Sequence, residues 1–144
     1  MIEAAGILGE TPGVAAEDIP PVDLGRRAAR YTHIRRRHWR DGAAFLLADV
    51  YLDERLRPKV SDDDLRSRTA LKLVAAIPGV RVADARQVLT IGRADVETAA
   101  ALRIPLNAPV AHVRRAAVDA RGVLLLVADG ICRGDLVRID IKLR

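Results

Sequence analysis

Arg36 and His38 are the residues whose types and spacing are best suited to hold an anion. They lie two residues apart on a predicted strand, so they share one strand face and can converge on a single group. Thr69, near a predicted helix start, can add a hydroxyl and backbone N–H groups. Alternatively, Arg36 pairs with Asp49 across a hairpin and His38 lies at the surface. The spacing alone leaves both interpretations open.

Catalysis finds less support in the sequence. Cys132, the single cysteine, ends an apolar strand, where cysteine usually acts as a small hydrophobic residue. Asp49 and Asp129 recur in similar contexts, but acids on strands more often contact solvent or arginine than act as a catalytic pair. No glycine-rich phosphate loop joins a strand to a helix. One cysteine and three histidines do not favour a zinc site. We expect a binding protein without metal or cofactor, not an enzyme.

The composition bounds the class of protein. The chain has 144 residues, half of them hydrophobic, which fits one domain with a sizeable core. No apolar run reaches the roughly 18 residues that suggest a membrane span, and residues 1–8 hold no basic region of a secretory signal. A single cysteine fits a reducing compartment. We therefore expect a cytoplasmic protein with no membrane contact.

Charge is unevenly distributed along the chain. The net charge is +5, and seven arginines lie between Arg26 and Arg40, whereas residues 1–24 hold five acids and no Lys or Arg. The arginine run is either an electrostatic footprint for nucleic acid or a sign that arginine is simply the preferred basic residue here. Aromatic side chains that would stack on single-stranded bases are not interleaved with it. Glycine and proline in the first segment predict a linker or extended arm over residues 1–28, followed by one domain over 29–144.

Alternation and turn signals predict a β-rich domain. Tyr31 to Trp39 and Phe45 to Leu52 form a hairpin around Asp41-Gly42, a dipeptide suited to positive φ. The further predicted elements are a helical region at 62–77 that Arg68-Thr69 can break, a strand at 80–91, a helix at 95–102, a hairpin at 110–132 and a closing strand at Val137 to Leu143. Short connections favour an antiparallel α+β sheet of about six strands with a few short helices.

Two parts of the sequence echo one another. His33-Ile34-Arg35-Arg36 resembles His112-Val113-Arg114-Arg115, and Leu46-Leu47-Ala48-Asp49 resembles Leu126-Val127-Ala128-Asp129. Each copy combines a strand, a glycine-containing turn and an apolar strand. Two copies are too few for a solenoid and indicate either a duplicated hairpin within one sheet or chance similarity.

The ordered set of segments resembles a known family. Residues 31–144 are similar to the UTRA effector-binding domain of GntR-type transcription regulators of the HutC subfamily, a domain with a chorismate lyase-like fold. The resemblance is carried by the basic strand and Asp41-Gly42 with the run to Tyr51-Leu52, by Ala94 to Leu102 continuing to Ala108-Pro109-Val110, and by Arg133-Gly134-Asp135. These segments cover about four-fifths of the chain, and the middle one is the most specific.

The resemblance implies a regulator in which this domain binds a small metabolite. In the family, a winged helix-turn-helix domain contacts operator DNA, and residues 1–30 are too short to contain one. We therefore expect the DNA contact to belong to residues outside this chain. The family habit, and apolar residues on both faces of the strand Val123 to Val127, predict a homodimer formed through the sheet.

The family's pocket maps onto this sequence with several departures. The resemblance places Arg36 at an anion-binding arginine, His38 where many members have a second arginine, and Thr69 at a serine that helps to hold phosphate or carboxylate. Ala48 and Leu126 stand where sugar-phosphate-binding members carry glutamate, and Leu71 and Cys132 stand at tyrosine positions. Losing both glutamates removes groups that bind ligand hydroxyls. The resemblance therefore implies a small, rather apolar anionic effector.

Two other functions remain as alternatives. A chorismate lyase-like enzyme on the same fold would need two separate cationic anchors for two carboxylates, which Arg36 and either Arg114 or Arg115 can supply. A purely structural dimerisation domain would have lost its ligand altogether. Direct assay with chorismate separates the first, and a ligand-dependent thermal shift separates the second.

Overall fold

A mixed sheet, antiparallel except for one short strand, forms the centre of the computed structural model, which describes residues 4–143. The strands are β1 Ala4–Ala15, β2 Arg26–Arg27, β3 Arg30–Arg40, β4 Ala43–Asp53, β5 Val82–Arg93, β6 Pro109–Asp119 and β7 Val123–Arg133. Their order is β1-β3-β4-β7-β6-β5, and the two-residue β2 adds in parallel to β7. The predicted α+β class is confirmed, with seven strands where the sequence indicated about six.

Two tight turns fix the register of the central hairpins. Asp41 and Gly42 join β3 to β4 with φ values of 51° and 76°, as the predicted turn requires. Between β6 and β7, Gly122 has φ of 77°, and the carboxylate of Asp119 accepts hydrogen bonds from the N–H groups of Arg121 and Val123 at 2.9 and 3.0 Å. The two hairpins therefore stand side by side through the pairing of β4 with β7.

Three short helices cover the two faces of the sheet. They are α1 Asp62–Ser67, α2 Ala70–Ala75 and α3 Val96–Leu102. Leu65 of α1 and Leu73 of α2 join the main core on one face, which we call the helical face, whereas Leu102 of α3 packs with Leu47 on the opposite face. Ser61 caps α1, its hydroxyl accepting from the N–H of Asp64 at 3.1 Å.

The predicted helical region is indeed two helices, because Arg68 and Thr69 have extended backbone between them. Ser61 begins the first helix and Thr69 precedes the second. Within the described residues, no helix has the length and apolar character needed to cross a bilayer.

The amino-terminal segment differs from the sequence-based expectation. We predicted an arm over residues 1–28, but Ala4–Ala15 is an edge strand that pairs with β3. Irregularities in its register between Ile7 and Gly9 and between Thr11 and Val14 absorb the glycines and Pro12 that suggested a linker. Edge strands tolerate such bulges and prolines because only one side of the strand is paired. The division of the chain at residue 28 stays a prediction.

The carboxyl-terminal prediction is wrong within the described residues. Val137 to Leu143 was expected to close the sheet, but after a 3-10 turn at Gly134–Leu136 these residues form no regular structure. The alternating pattern that suggested a strand is present, yet nothing in the described chain pairs with it.

Replacing Tyr31 tests the joint between the start of β3 and β7. Its hydroxyl donates to the carbonyl of Leu124 at 2.7 Å and accepts from the N–H of Ala28 at 2.9 Å, and the side chain is fully buried. Tyr31→Phe leaves both buried backbone groups without this partner, so we expect the free energy of unfolding to fall by about 1–3 kcal/mol in chemical denaturation. The matched control is Tyr51→Phe, because Tyr51 is a partly buried tyrosine of β4. An equal fall in the free energy of unfolding in both variants would contradict the role of the Tyr31 hydroxyl.

Candidate functional site

A cavity of about 220 Å³ opens on the helical face, between β3, β4, β6 and β7 and the start of α2. Its lining residues are Arg36, His38, Arg40, Phe45, Leu46, Ala48, Val50, Thr69, Ala70, Val113, Arg115, Ala128, Gly130 and Cys132. Among these described residues, three are arginines and none is an acid. The cavity is therefore electropositive, with walls that are mainly apolar.

Arg36 is the buried cation of this cavity. Its residue is 1% exposed, and its Nη1 donates to the carbonyls of Leu65 and Arg68, both at 2.8 Å. No acid of the described chain forms an ion pair with it, and its Nε has no hydrogen-bond partner there. Burial lowers the pKa of Arg36 to about 10, so the guanidinium stays charged at neutral pH. A buried charge without a counter-ion is costly, which makes this a place where a bound anion would be stabilising.

His38 stands beside Arg36 on the same strand face. It is 1% exposed, and neither ring nitrogen has a hydrogen-bond partner among the described residues. Burial and the charge of Arg36 lower the pKa of His38 to about 3. The imidazole of the free protein is therefore neutral at physiological pH. A neutral ring adds no second charge to the site, but it can still donate one hydrogen bond.

Thr69 and Cys132 complete the predicted part of the lining. Thr69 precedes α2, and its side chain makes no capping hydrogen bond to that helix. Burial raises the pKa of the Cys132 thiol, so it stays protonated and contributes a small apolar surface. Ala48 lies directly opposite Arg36 in the β3–β4 register. The cavity thus brings together five of the seven predicted residues: Arg36, His38, Ala48, Thr69 and Cys132.

The other two predicted residues are placed elsewhere. Leu126 is fully buried in the main core, and Leu71 is a partly buried residue packed against that core. Neither lines the cavity. Both are apolar, and an apolar side chain carries no mark in the sequence that separates a pocket wall from the core beside it.

The proposed pairing of Arg36 with Asp49 does not occur. Asp49 projects to the opposite face, where it accepts from His33 Nε2 at 2.7 Å and lies 3.9 Å from Arg35. Asp129 faces it in the β4–β7 register and is held by Arg114 at 2.6 Å. The two carboxylates are therefore each engaged in ion pairs and lie outside the cavity.

The sequence echo has a structural counterpart that points to Arg115. Arg36 lies opposite Ala48 in one hairpin, and Arg115 lies opposite Ala128 in the other. Both arginines line the cavity. Arg115 donates through Nε to the side chain of Gln87 at 2.7 Å. The sequence left Arg114 and Arg115 open as the second cationic anchor, and the structure places Arg115 in this cavity.

A metal centre finds no support in the described part of the chain. This part contains no group of three or more His, Cys, Asp or Glu side chains arranged to hold a metal ion. At the cavity mouth, the guanidinium of Arg40 lies 4.8 Å from the centre of the Phe45 ring, a cation–π distance.

Acid titration tests the burial of His38. The pKa of His38 in the folded protein lies below the unfolded value of 6.5. Between about pH 6.5 and 3, the imidazole is therefore protonated in the unfolded chain but not in the folded chain. This contribution destabilises the fold as pH falls, by at most about 1.4 kcal/mol per pH unit. We expect His38→Leu to lose less stability than the wild type between pH 6.5 and 4.5 in urea denaturation. Parallel profiles for the two proteins would contradict the buried, neutral imidazole.

Several solved structures of other proteins share the fold of this chain. Among solved structures, the C-terminal domain of the histidine utilization repressor from Pseudomonas syringae pv. tomato matches with a TM-score of 0.78 at 15% identity, covering 98% of both chains. A GntR-family transcriptional regulator from Enterococcus faecalis matches with a TM-score of 0.76 at 12% identity over 96% of this chain and 99% of that one. At these identities the likeness shows the fold.

PhnF from Mycobacterium smegmatis has the same fold over part of its length. Its TM-score is 0.76 at 15% identity, and the match covers 98% of this chain but only 62% of PhnF. A search of the curated proteins finds no match. The family model of the UTRA domain matches residues 25–138, which include the helices, β2 to β7 and every residue that lines the cavity. The chain belongs to the UTRA domain family.

Proposed function

We propose that this chain is the ligand-sensing and dimerisation domain of a GntR-type transcription regulator of the HutC subfamily. Its cavity binds a small anionic metabolite, and binding changes the affinity of a winged helix-turn-helix domain, outside this chain, for operator DNA. The protein acts in the cytoplasm as a homodimer. The observation that carries the proposal is Arg36, a buried guanidinium that lines a cavity and has no carboxylate partner among the described residues.

The chemistry of the walls supports a compact effector with one anionic end. Arg36 Nε and the two ring nitrogens of His38 supply hydrogen-bonding groups that the described chain does not satisfy, and Thr69 adds a hydroxyl. Ala48 and Cys132 offer apolar surface. A cavity of about 220 Å³ lies below the usual range for drug-sized ligands. These features favour a small organic acid or compact phosphate ester with few hydroxyls.

The contacts of Arg36 also suggest how ligand binding in the cavity can affect the rest of the protein. The guanidinium that would meet the anion holds the carbonyls of Leu65 and Arg68, where α1 ends. At the other end of α1, Arg57 bonds both Asp62 and, at 2.8 Å, Glu10 of β1. A shift of Arg36 toward an anion would therefore move α1 relative to the first strand. This route reaches β1, the first strand, and the family resemblance implies a DNA-binding domain on the amino-terminal side of this domain.

The binding role of Arg36 is tested with an unbranched apolar replacement. Monocarboxylates and phosphate monoesters are first ranked by thermal shift, and the best acid is titrated by calorimetry. Arg36→Met removes a charged hydrogen-bond donor, so we expect binding to weaken by roughly 1.5–3 kcal/mol, or about ten- to hundredfold. Thermal unfolding without ligand shows whether the variant is folded.

The neighbouring arginine supplies the control for this titration. Arg35 projects to the opposite face, where it contacts Asp49 and Glu97. Arg35→Met should therefore bind the acid with wild-type affinity. Equal affinity in the wild type and Arg36→Met would place the anion site elsewhere.

A chorismate lyase-like enzyme is the second candidate, because Arg115 lines the same cavity as Arg36. The pair gives the two cationic anchors that two carboxylates require, although none of the described lining residues is an acid that could protonate a leaving group. As a sensor, the protein should be stabilised by a bound acid without consuming it. We expect no pyruvate release when it is incubated with chorismate, followed by a coupled assay, whereas sustained release lost in Arg36→Met would favour the enzyme.

A further inference from the structure

His38 lines the cavity with two ring nitrogens that have no hydrogen-bond partner among the described residues. The residue is 1% exposed, so bulk water does not take the place of that partner. Buried polar groups in folded proteins nearly always have a partner, and leaving one without it costs stability. The ring of His38 therefore indicates a feature of the effector beyond the anionic group that Arg36 would bind.

The ring of His38 is neutral in the free protein, and this fixes what it can bind. Burial and the charge of Arg36 lower its pKa to about 3. The titratable residues that line the cavity with it are Arg36 and Arg40 of β3, Arg115 of β6 and Cys132 of β7. The described lining residues of β4 and of the start of α2 carry no titratable side chain. A neutral imidazole has one N–H donor and one bare nitrogen, which only accepts a hydrogen bond.

A carboxylate alone does not satisfy both sides of this ring. Its oxygens accept hydrogen bonds from the Nε–H of Arg36 and the N–H of His38, but they donate nothing to the bare nitrogen. A hydroxyl group on the ligand supplies the missing donor. An ammonium group would also donate, but it would bring a positive charge into a cavity whose described lining holds three arginines and no acid. The lining therefore favours a hydroxyl over an amino group.

The spacing along β3 limits how far the hydroxyl can lie from the carboxylate. Residues two apart on a strand lie about 6.6 Å from one another, and each hydrogen bond takes up about 2.8 Å of such a distance. The two groups of the ligand therefore have to be near neighbours, as in an acid whose hydroxyl stands on carbon 2. The cavity of about 220 Å³ limits the rest of the molecule to a short chain.

We propose that His38 selects a short-chain 2-hydroxy acid as the effector. The carboxylate binds Arg36, the hydroxyl donates to the bare nitrogen of His38, and the alkyl chain lies against the apolar walls. The inference rests on the anion site of the proposed function and names the class of acid that this site takes. Arg36 anchors the ligand, and His38 distinguishes it from other acids of the same size.

A series of four-carbon acids tests the hydroxyl in the wild-type protein. Calorimetry compares butyrate with 3-hydroxybutyrate, 2-oxobutyrate, 2-aminobutyrate and the tighter-binding enantiomer of 2-hydroxybutyrate. We expect 2-hydroxybutyrate to bind about tenfold more tightly than butyrate, because an unpaired buried nitrogen gains a partner. The 2-oxo acid cannot donate and the 2-amino acid adds a positive charge, so neither should bind more tightly than butyrate.

Three results of this series would overturn the proposal. The first is equal affinity for butyrate and 2-hydroxybutyrate. The second is an affinity for 2-oxobutyrate or 2-aminobutyrate as high as that for 2-hydroxybutyrate, because the hydroxyl would then not be the group that is recognised. The third is an equal affinity for 3-hydroxybutyrate, because the hydroxyl would then not be required on carbon 2.

Two histidine variants assign the preference to His38. His38→Phe keeps an aromatic ring but removes both nitrogens, so the two affinities should become nearly equal. His112→Phe is the matched control and should keep the preference, because His112 is an exposed residue of β6 that does not line the cavity. A tenfold preference that survives in folded His38→Phe would contradict the assignment. The acid series in the wild type decides the proposal even if His38→Phe does not fold.

Proton uptake distinguishes a neutral from a charged His38 in the complex. Calorimetry at pH 7 in two buffers of different ionisation enthalpy should show no uptake of a proton when 2-hydroxybutyrate binds. Uptake of about one proton in the wild type, but none in His38→Phe, would mean that the ring binds the ligand as an imidazolium. That result would overturn the proposal, because an imidazolium has no bare nitrogen to accept from a hydroxyl.

Binding of the plain acid keeps this test separate from the sensing function. If butyrate and 2-hydroxybutyrate bind equally well and both bind more weakly to Arg36→Met, the anion site stands and only the choice of a hydroxy acid fails. If no acid of the series binds to the wild type at millimolar concentration, the anion site itself is wrong, and the inference falls with it.

Discussion

The buried guanidinium of Arg36 is the constraint around which the helical face is organised. Its Nη1 binds two carbonyls at the end of α1, and those bonds set where the helical pair sits on the sheet. The charge is kept at neutral pH although burial lowers its pKa to about 10. Arginine without a nearby acid is uncommon in an interior because desolvation must be offset by other contacts. Here two carbonyls offset part of that cost, and the buried Nε has no hydrogen-bond partner among the described residues.

The neighbouring groups are consistent with a site kept ready for an anion. His38 is held neutral by burial and by Arg36, so it does not add a second charge to the free protein. Arg115 brings a further cation from the other hairpin. The acids that could have neutralised this face, Asp49 and Asp129, are paired with basic residues on the opposite face. Because strand neighbours alternate between faces, one sheet separates its internal ion pairs from its cationic cavity.

The sequence predicted the parts of this structure that follow from local periodicity and turn chemistry. Alternation put Arg36 and His38 on one face of β3, and Asp41-Gly42 marked its turn, because both signals depend only on neighbouring residues. The strand character of residues 4–15 was hidden by glycine and proline that an edge strand accommodates through bulges. The pattern at residues 137–143 predicted a strand whose partner the described chain does not contain.

For the candidate site, residue type predicted which cations line the cavity, but it did not predict which apolar residues form the walls of the cavity. Whether Leu126 lines a cavity or the core depends on which side chains pack over it, and pattern carries no such information. The burial of Arg36 depends equally on where α1 and α2 settle, so the sequence left its partner open. The structure places the carbonyls of Leu65 and Arg68 there in place of a carboxylate.

The proposed function depends on a hydrogen bond from the Nε–H group of Arg36 to a bound anion. Side-chain NMR of the arginine Nε–H groups tests this most directly. Titration with benzoate, a small apolar acid, should move the Arg36 Nε–H signal downfield with saturation and slow its exchange with water, because a charged hydrogen bond forms at that atom. The signal of Arg35, on the opposite face, should stay in place. The same titration is repeated with the other acids and with inorganic phosphate. An Arg36 signal that stays unchanged with all of them, while signals of other arginines move, would contradict this hydrogen bond.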